Sequence, residues 1–523
     1  MAPLVDDTPS NGIHHETEGS DTKPRFLIIG AGSRGNAYAA AIVRSGLGIV
    51  SAIAEPDDFK RHSFGQKYIW GPRPRRDPDE AFTSHHEWIQ CERQRRSSEV
   101  AGFVTEPAID GVFVCVRDDL HASIVTALAP LGLHIMCEKP LATALNDCLA
   151  IQRTVQAQPQ PCIFAIGHVL RYSPHNMLLR HLLLEQKAIG EVLSMEHTEP
   201  VGYWHFSHSY VRGQWRKEST SAPSLLTKSC HDIDFILWML CSATPEGSEG
   251  QSHLPSTVSS VGSLKQFRRS MKPKEAGSAT NCLACPIKDS CLYSASKIYY
   301  DRHLAKGITK WPVDIVNPEI PHILQTQGKD QAKAALLASL SSDYDAKTTP
   351  VPDIEDKQWY GRCVWESSND VCDDQTVTLT WDDVQSTQRG AKTAVFHMIA
   401  QTLAQCERRG RIYGTAGEIS YDSKAITVHN FVSGETQSYE PEVPVNSHHG
   451  GGDDGLTECF VRAVRAVKDQ GMGVREAQEK FLGCSLEDVI RSHAMVFAAE
   501  EARTEGRVVE WDEWWRRNVV DGK

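Results

Sequence analysis

No apolar run in this chain of 523 residues reaches the roughly 20 residues that a membrane-spanning helix needs. No membrane partner is therefore expected. Positive charge is also in short supply: 55 Lys and Arg stand against 67 Asp and Glu, a net charge of -12. An acidic balance of this kind argues against a nucleic-acid-binding surface. Residues 1–22 have neither the basic start nor the apolar segment of a secretory signal; they read as a disordered tail. Internal repeats are absent as well. What the chain has in number is cysteine, 15 in all, an odd count scattered through apolar stretches. Cys115 and Cys137 read as small buried hydrophobes, and reduced thiols in the cytoplasm are the simpler expectation. With 40% hydrophobic residues the chain can build globular cores, and its length suggests two or three domains.

The most informative stretch is Phe26-Leu27-Ile28-Ile29-Gly30-Ala31-Gly32-Ser33-Arg34-Gly35. An apolar strand enters a G-x-G-x-x-G turn, and a helix follows. Gly30 permits the tight turn, Gly32 lets backbone approach a pyrophosphate, and Gly35 lets helix and strand pack. The helix N-terminus offers free N–H groups to phosphates. Ser33 and Arg34 count with the glycines as cofactor-binding. Glu55 ends the next strand, where a carboxylate bonds ribose hydroxyls and repels a 2′-phosphate. NAD is favoured over NADP.

Further apolar runs at Asp110–Val116, Leu133–Cys137 and Cys162–Gly167 alternate with helical stretches at Ala122–Leu131 and Asn146–Gln156. That alternation predicts a doubly wound parallel sheet over residues 23–170. The Arg- and Pro-rich stretch from Trp70 to Ser98 reads as a surface insertion. From Arg171 onward the pattern changes. A helix is expected at Leu178–Gln186, and strands at Val192–Glu199, Thr257–Leu264, Gly361–Glu366, Thr376–Trp381, Thr393–Ala400, Arg411–Tyr413 and Ala425–Asn430. Gln266–Asn281 reads as a loop. Closing helices are expected at Leu456–Asp469 and Ser485–Glu505, the second with a Ser485/Asp488 capping box. Residues 171–523 are thus expected to form an α+β domain on an open, mainly antiparallel sheet, serving substrate binding and oligomerisation.

The Gly motif, Glu138-Lys139-Pro140 after a strand, and a second α/β unit together resemble the Gfo/Idh/MocA oxidoreductase family from about Arg25 to the C-terminus. The resemblance implies NAD as cofactor, a sugar-like small-molecule substrate and a homo-oligomer paired through the open sheet. It implies that Lys139 lies beside the nicotinamide and contacts a substrate hydroxyl, with Glu138 nearby. The family's T-P-x-x-x-H motif falls on Val116-Arg117-Asp118-Asp119-Leu120-His121. His121 matches and is implied to bind cofactor; Val116 and Arg117 depart from the pattern. Independently of the family, the ammonium form of a lysine next to a positively charged nicotinamide is disfavoured, so such a lysine can shuttle a hydroxyl proton. A solvated lysine at a strand end is the plainer alternative.

The family's D-x-G-x-H signature falls on Thr227-Lys228-Ser229-Cys230-His231. His231 matches and is the expected acid/base partner. Thr227 replaces the Asp and cannot act as a base, so either Lys228 or Asp232 compensates or the chemistry differs. Asp234 reads equally as a packing carboxylate. Tyr203, Trp204, His205 and Arg212, in a run dense in aromatic and polar groups, are candidates for holding a sugar; interface packing is an equal reading. Arg171 follows the strand through Gly167 and is assigned to the cofactor.

Two features stay open. His448-His449-Gly450-Gly451-Gly452, together with Arg34 in the Gly motif, resembles NAD-dependent glycoside hydrolases of the same superfamily. Cys282, Cys285 and Cys291 form a C-x₂-C plus a third thiol. With a distant ligand, His303 being one candidate, they could hold structural zinc; a chance cluster is the alternative, and no metal is assigned. The reading that results is a hydride-transferring NAD-dependent oxidoreductase acting on a sugar, glycoside or cyclitol. A redox-neutral glycoside hydrolase and a non-catalytic NAD sensor are its rivals.

Overall fold

The computed structural model describes residues 23–73, 78–101, 108–241, 252–385, 389–444 and 449–522. The expected tail over 1–22 and His448 lie outside the described residues. Six parallel strands form the first sheet: β1 (Arg25–Ile29), β2 (Ile49–Ala54), β3 (Ala81–Phe82), β4 (Gly111–Val114), β5 (His134–Cys137) and β6 (Phe164–Ile166), in the order β3-β2-β1-β4-β5-β6. The central strands are apolar along their whole length because helices cover both faces. Phe26, Leu27, Ile28, Val112, Phe113 and Val114 are all fully buried. Strand order reverses between β1 and β4, and such a switch point opens a crevice at the carboxyl ends of the strands. Gly30 sits at that place.

The second sheet has nine strands: β7 (Val192–Pro200), β8 (Thr257–Ser263), β9 (Asp374–Trp381), β10 (Lys392–Ile399), β11 (Arg409–Gly414), β12 (Gly417–Tyr421), β13 (Ile426–Asn430), β14 (Thr436–Tyr439) and β15 (Val509–Glu510). Their order is β14-β13-β12-β11-β7-β10-β9-β8-β15. Within this sheet, among the described residues, β7 and β10 alone pair in parallel. β9 alternates buried Val377, Leu379 and Trp381 with half-exposed threonines, as a sheet covered on one face should. The expected class, a Rossmann domain plus an α+β unit on an open, mainly antiparallel sheet, is the observed one.

Four helices position the site: α1 (Ser33–Ser45), α2 (Cys230–Leu240), α3 (Gly452–Gln470) and α4 (Leu486–Glu505). Although α3 follows the second sheet in sequence, it packs beside α1. Its Phe460 meets Phe113 edge to face at 5.2 Å. The capping box of Ser485 and Asp488 starts α4.

Two sequence expectations need correcting. The Trp70–Ser98 stretch is no surface insertion: it supplies β3 and most of the helix His85–Val100, which buries Trp88 and Ile89. Its arginines are accommodated because buried Glu92 accepts both Arg95 and Arg96. The expected strand Gly361–Glu366 does not form beyond one bridge, Asn281 to Arg362. The backbone there runs too close to Leu340, whose carbonyl a Cβ on Gly361 would meet at 1.7 Å. Arg362 turns inward to Asp343 and to the carbonyls of Tyr344 and Glu366. Between β8 and β9 the chain builds an unforeseen helical insert. Its own core includes Ile298, Tyr299, Leu304, Leu336 and Leu340, and Trp204 joins it.

Candidate active site

The turn after β1 leaves room where a dinucleotide would need it. Gly30 has φ +99°, and a Cβ there would lie 2.3 Å from the Cys115 carbonyl oxygen. Gly35 is equally constrained, with Gly30 O at 2.0 Å from its notional Cβ. Gly32 differs: a Cβ there would meet nothing within 4 Å. The protein's own packing does not demand that glycine. Gly32 is also the N-cap of α1 and gives no side-chain cap, so the first-turn N–H groups remain open to an anion. Ser33 is exposed beside them. Glu55 at the end of β2 accepts the Ala31 N–H at 2.8 Å and the Asp57 N–H at 2.9 Å. Each oxygen keeps a lone pair for a ribose hydroxyl. These residues fit NAD.

Arg34 does not reach toward a phosphate. Its guanidinium bonds Glu138 at 2.6 Å and Asp453 at 2.6 and 3.2 Å, and also the Tyr38 hydroxyl. Glu138 in turn accepts the Lys139 backbone N–H at 3.0 Å. Burial pushes the Glu138 carboxyl up. The charges of Arg34 and Lys139, with hydrogen bonds from Tyr38 and Arg34, outweigh it and hold Glu138 below the usual carboxylate range. Asp453 is likewise driven low, against burial, by His449 and Arg34.

Lys139 follows β5. Its Nζ donates to the Thr227 carbonyl oxygen at 2.8 Å, across the cleft between the sheets. In the first turn of α2, His231 is 5% exposed and its Nδ1 has no hydrogen-bond partner. The His231 ring lies 5.8 Å from His168 and 6.1 Å from His449. Neither ring nitrogen of buried His168 makes a hydrogen bond, and Nε2 lies 3.8 Å from Asp234. Burial, then Lys139 and His168, keep His231 neutral. Burial outweighs Asp234 and lowers His168 to about 4. Asp118, raised by burial against the pull of His121 and Lys139, accepts the Trp215 indole N–H at 2.8 Å. Unpaired imidazole nitrogens next to an ammonium group are what a polyhydroxylated ligand can satisfy, since each hydroxyl both donates and accepts.

Several sequence candidates stand elsewhere. Lys228 is ion-paired with Glu199 at 3.0 Å and touches Cys406 at 3.0 Å, so it does not replace the missing Asp as a free base. Asp232 is fully buried. It bonds Arg408 at 2.6 Å and His197 at 2.9 Å, on the sheet side of α2. Arg171 spends both donors on Asp234 at 2.8 Å each, which settles Asp234 as a packing carboxylate and leaves Arg171 no free fork for a cofactor. His121 is fully buried, with Nδ1 2.7 Å from Pro140 O and Nε2 3.2 Å from Val116 O. It orients the loop that carries Lys139 rather than facing a cofactor. Tyr203 accepts from Arg302, and Trp204 meets His303 edge to face and Trp311 at a tilt, three partners that belong to the insert. His205 contacts Cys406 at 3.4 Å and lies within electrostatic reach of Lys228, His449 and Lys139. Arg212 turns away altogether, into a cavity of cysteines. Sequence reasoning missed Asp118, Trp215, His168, Tyr38 and Asp453. Only His168, following a strand end, carried a local signal.

Residues 24–168 match the model of the Gfo/Idh/MocA oxidoreductase family, NAD-binding Rossmann fold. Inositol 2-dehydrogenase 2 of Saccharopolyspora erythraea is 26% identical over 152 residues, 29% of this chain and 41% of that protein. Levoglucosan dehydrogenase of Pseudarthrobacter phenanthrenivorans is 25% identical over 147 residues, 28% of this chain and 37% of that protein. The chain thus spans about two-fifths of the length of these curated relatives. Among solved structures, levoglucosan dehydrogenase with NADH and levoglucosan aligns at TM-score 0.57 and 15% identity, covering 93% of this chain and 99% of that one. An oxidoreductase from Agrobacterium radiobacter with NAD+, L-tartaric acid and magnesium aligns at 0.56 and 14%, covering 94% and 98%. These two likenesses show the fold. Residues 24–168 are thus similar to the NAD-binding Rossmann domain of the Gfo/Idh/MocA oxidoreductase family.

Proposed function

We propose that the protein is an NAD-dependent oxidoreductase that moves a hydride between a hydroxyl-bearing carbon of a sugar, glycoside or cyclitol and nicotinamide. The observation that carries this reading is that Lys139 Nζ bonds the Thr227 carbonyl while His231 Nδ1 and both ring nitrogens of neighbouring His168 have no protein hydrogen bond among the described residues. When bound, NAD supplies the hydride acceptor. Gly32, the α1 N-terminus and Glu55 would hold it, and Glu55 would select against a 2′-phosphate.

Lys139 Nζ takes the hydroxyl proton of the substrate as the C–H bond breaks. The Thr227 carbonyl fixes the direction of Nζ. Glu138, itself fixed by Arg34 and Tyr38, anchors the Lys139 backbone. His231, neutral, bonds a second hydroxyl and orients the ring. The relatives named above are dehydrogenases of inositol and levoglucosan, which supports a polyol or sugar substrate here. Pairing of two chains through the open face of the nine-stranded sheet belongs to the same reading. His449 is committed to Asp453, so the hydrolase reading gains no separate support, and neither does the sensor reading.

The test is the purified protein with NAD against free sugars, cyclitols and glycosides, following NADH absorbance and aglycone release. NADH that accumulates on a free polyol, and is lost in Lys139→Met while NAD still binds, is the expected result. Bound NAD with neither signal from any substrate, or aglycone release without NADH, overturns the proposal. Sedimentation of the same sample checks the oligomer.

A further inference from the structure

A polar cavity opens where the turn after β6, the helix Pro174–Arg180, the end of α2 and the start of α4 meet. Its volume is about 90 Å³. A single buried water needs only about 10–15 Å³, so the space admits an ion of several heavy atoms. Arg171, Arg180, Trp238, Ser252, Asp488 and Arg491 are among the residues that line it. Three of the six are arginines, and one is a carboxylate.

Two of these arginines are answered by carboxylates. Arg171 gives Nε and Nη2 to Asp234 at 2.8 Å each. Arg491 gives Nη1 to Asp488 at 3.2 Å and Nη2 to Glu487 at 3.0 Å. Arg180 forms no hydrogen bond or ion pair among the described residues, and its Nε is shut off from water without an acceptor. The Arg180 guanidinium carbon lies 5.3 Å from the centre of the Trp238 ring, and that of Arg171 lies 5.9 Å from the same centre. The indole attracts each cation but holds two like charges close together. Burial, then the charge of Arg171, pull Arg180 below its ordinary range; Glu185 opposes them. Glu185 is itself half exposed and holds His181 at 2.7 Å. One partly buried cation is left without a counter-charge in contact.

We propose that this cavity binds a phosphate group, free or as a monoester, with Arg180 as its principal ligand. A guanidinium fork matches two phosphate oxygens, and no carboxylate competes for the fork of Arg180. The Ser252 hydroxyl on the cavity wall can donate to a third oxygen. The oxygens of a phosphate point in four directions, which suits donors that enter from separate elements. A neutral ligand would leave the Arg180 charge unanswered, and an unpaired ion inside a protein is costly. Asp488 and Asp234 do not repel the anion unopposed, because Arg491 and Arg171 already neutralise them. The site is distinct from the dinucleotide turn, since neither Gly30, Gly32 nor Ser33 lines it. It borders the cleft through Arg171, whose partner Asp234 places Oδ1 3.8 Å from His168 Nε2.

The experiment titrates the full chain with sodium phosphate, by calorimetry and by thermal melts, at an ionic strength held constant with chloride. NAD is present in excess, so that phosphate is kept out of the turn after β1. Saturable binding at a single site and a melting temperature that rises with phosphate are expected. A second arm with glycerol 3-phosphate separates the sources: saturation at a lower concentration than inorganic phosphate assigns a phosphate ester, and the reverse order assigns the free ion. Arg180→Met should abolish the response, yet melt no lower than the wild type in chloride alone, because the residue removed is a cation without a counter-charge. Arg462→Met, exposed on α3, should keep the response. No substrate is needed, so the result is independent of the dehydrogenase reading, and the wild-type titration decides even if Arg180→Met fails to fold. Phosphate and its ester acting no differently from chloride, or an undiminished response in Arg180→Met, overturns the proposal.

Discussion

Arg34→Met removes the cation shared by Glu138 and Asp453, at 2.6 Å from each. The two carboxylates are 6% and 3% exposed. Losing one partner of a buried pair costs about 3–5 kcal/mol. Arg34 itself is 27% exposed, and Lys139 and His449 stay close to the stranded carboxylates, so the lower end, about 3 kcal/mol, is expected. At 2–4 °C per kcal/mol the melting temperature should fall by about 6 °C or more. The pH dependence gives the sharper test. In the native protein both carboxyls sit below their ordinary values, so their contribution is present above about pH 4 and is lost as pH falls through the lower folded values. Without Arg34, burial dominates and raises both above their unfolded values. The folded variant then holds extra protons, and its stability falls as pH rises. The penalty of Arg34→Met should therefore be larger at about pH 7.5 than at about pH 5. Thermal melts of both proteins at the two pH values suffice. An equal penalty at both, or a loss below about 2 °C, refutes the network.

Lys139→Met should lower kcat by about 10²–10⁴-fold with NAD affinity preserved, read by NADH absorbance and by calorimetric titration with NAD. Gly32→Ala should leave the melting temperature unchanged while weakening NAD binding, because its Cβ meets no protein atom. Gly30→Ala should lower the melting temperature instead, since φ is +99° and the Cys115 carbonyl lies 2.3 Å from its Cβ; equal melting of the two variants would contradict this division. Lys228→Met, which leaves Glu199 buried beside Arg408 alone, should destabilise by about 3–5 kcal/mol, seen as a lower urea midpoint. Stability left intact, with activity alone lost, would return Lys228 to the chemistry.

Fold legibility followed periodicity. β1, β4 and β5 announced themselves as short apolar runs bounded by Gly or Pro, and β9 and β10 as alternating strands. β3 is only two residues long and lies in an arginine-rich stretch, so no window average could detect it. β14, Thr436–Tyr439, is polar and mostly exposed at the sheet edge, and gives no hydrophobic signal. The insert was hidden for a different reason. Its helices are short, and its core forms only when Trp204, more than 70 residues earlier than Cys282 in sequence, folds onto it.

The site was legible where chemistry depends on backbone and illegible where it depends on partners. Gly30, Gly32 and Gly35 act through steric space fixed by neighbours in sequence and by β4, so their roles could be read from spacing. Charged residues behave otherwise. Arg34 looked like a phosphate ligand because it lies in the Gly motif, but Asp453, 419 positions away, claims it. Arg171 and Asp234 are 63 residues apart, and nothing local to either foretells their bidentate contact, which takes up the Arg171 fork and makes Asp234 its packing partner. Asp232 could not be told from a substrate ligand without Arg408, 176 positions on. In each case the buried charge had to find an opposite one, because an unpaired ion inside a protein is costly. That demand is met in three dimensions and leaves no trace in local sequence. The same rule points back to the cleft. Once the paired charges are subtracted, His231 Nδ1 and both ring nitrogens of His168 are among the described polar atoms still without a protein hydrogen bond, and a buried polar atom left so calls for an explanation, of which a catalytic or binding role is one.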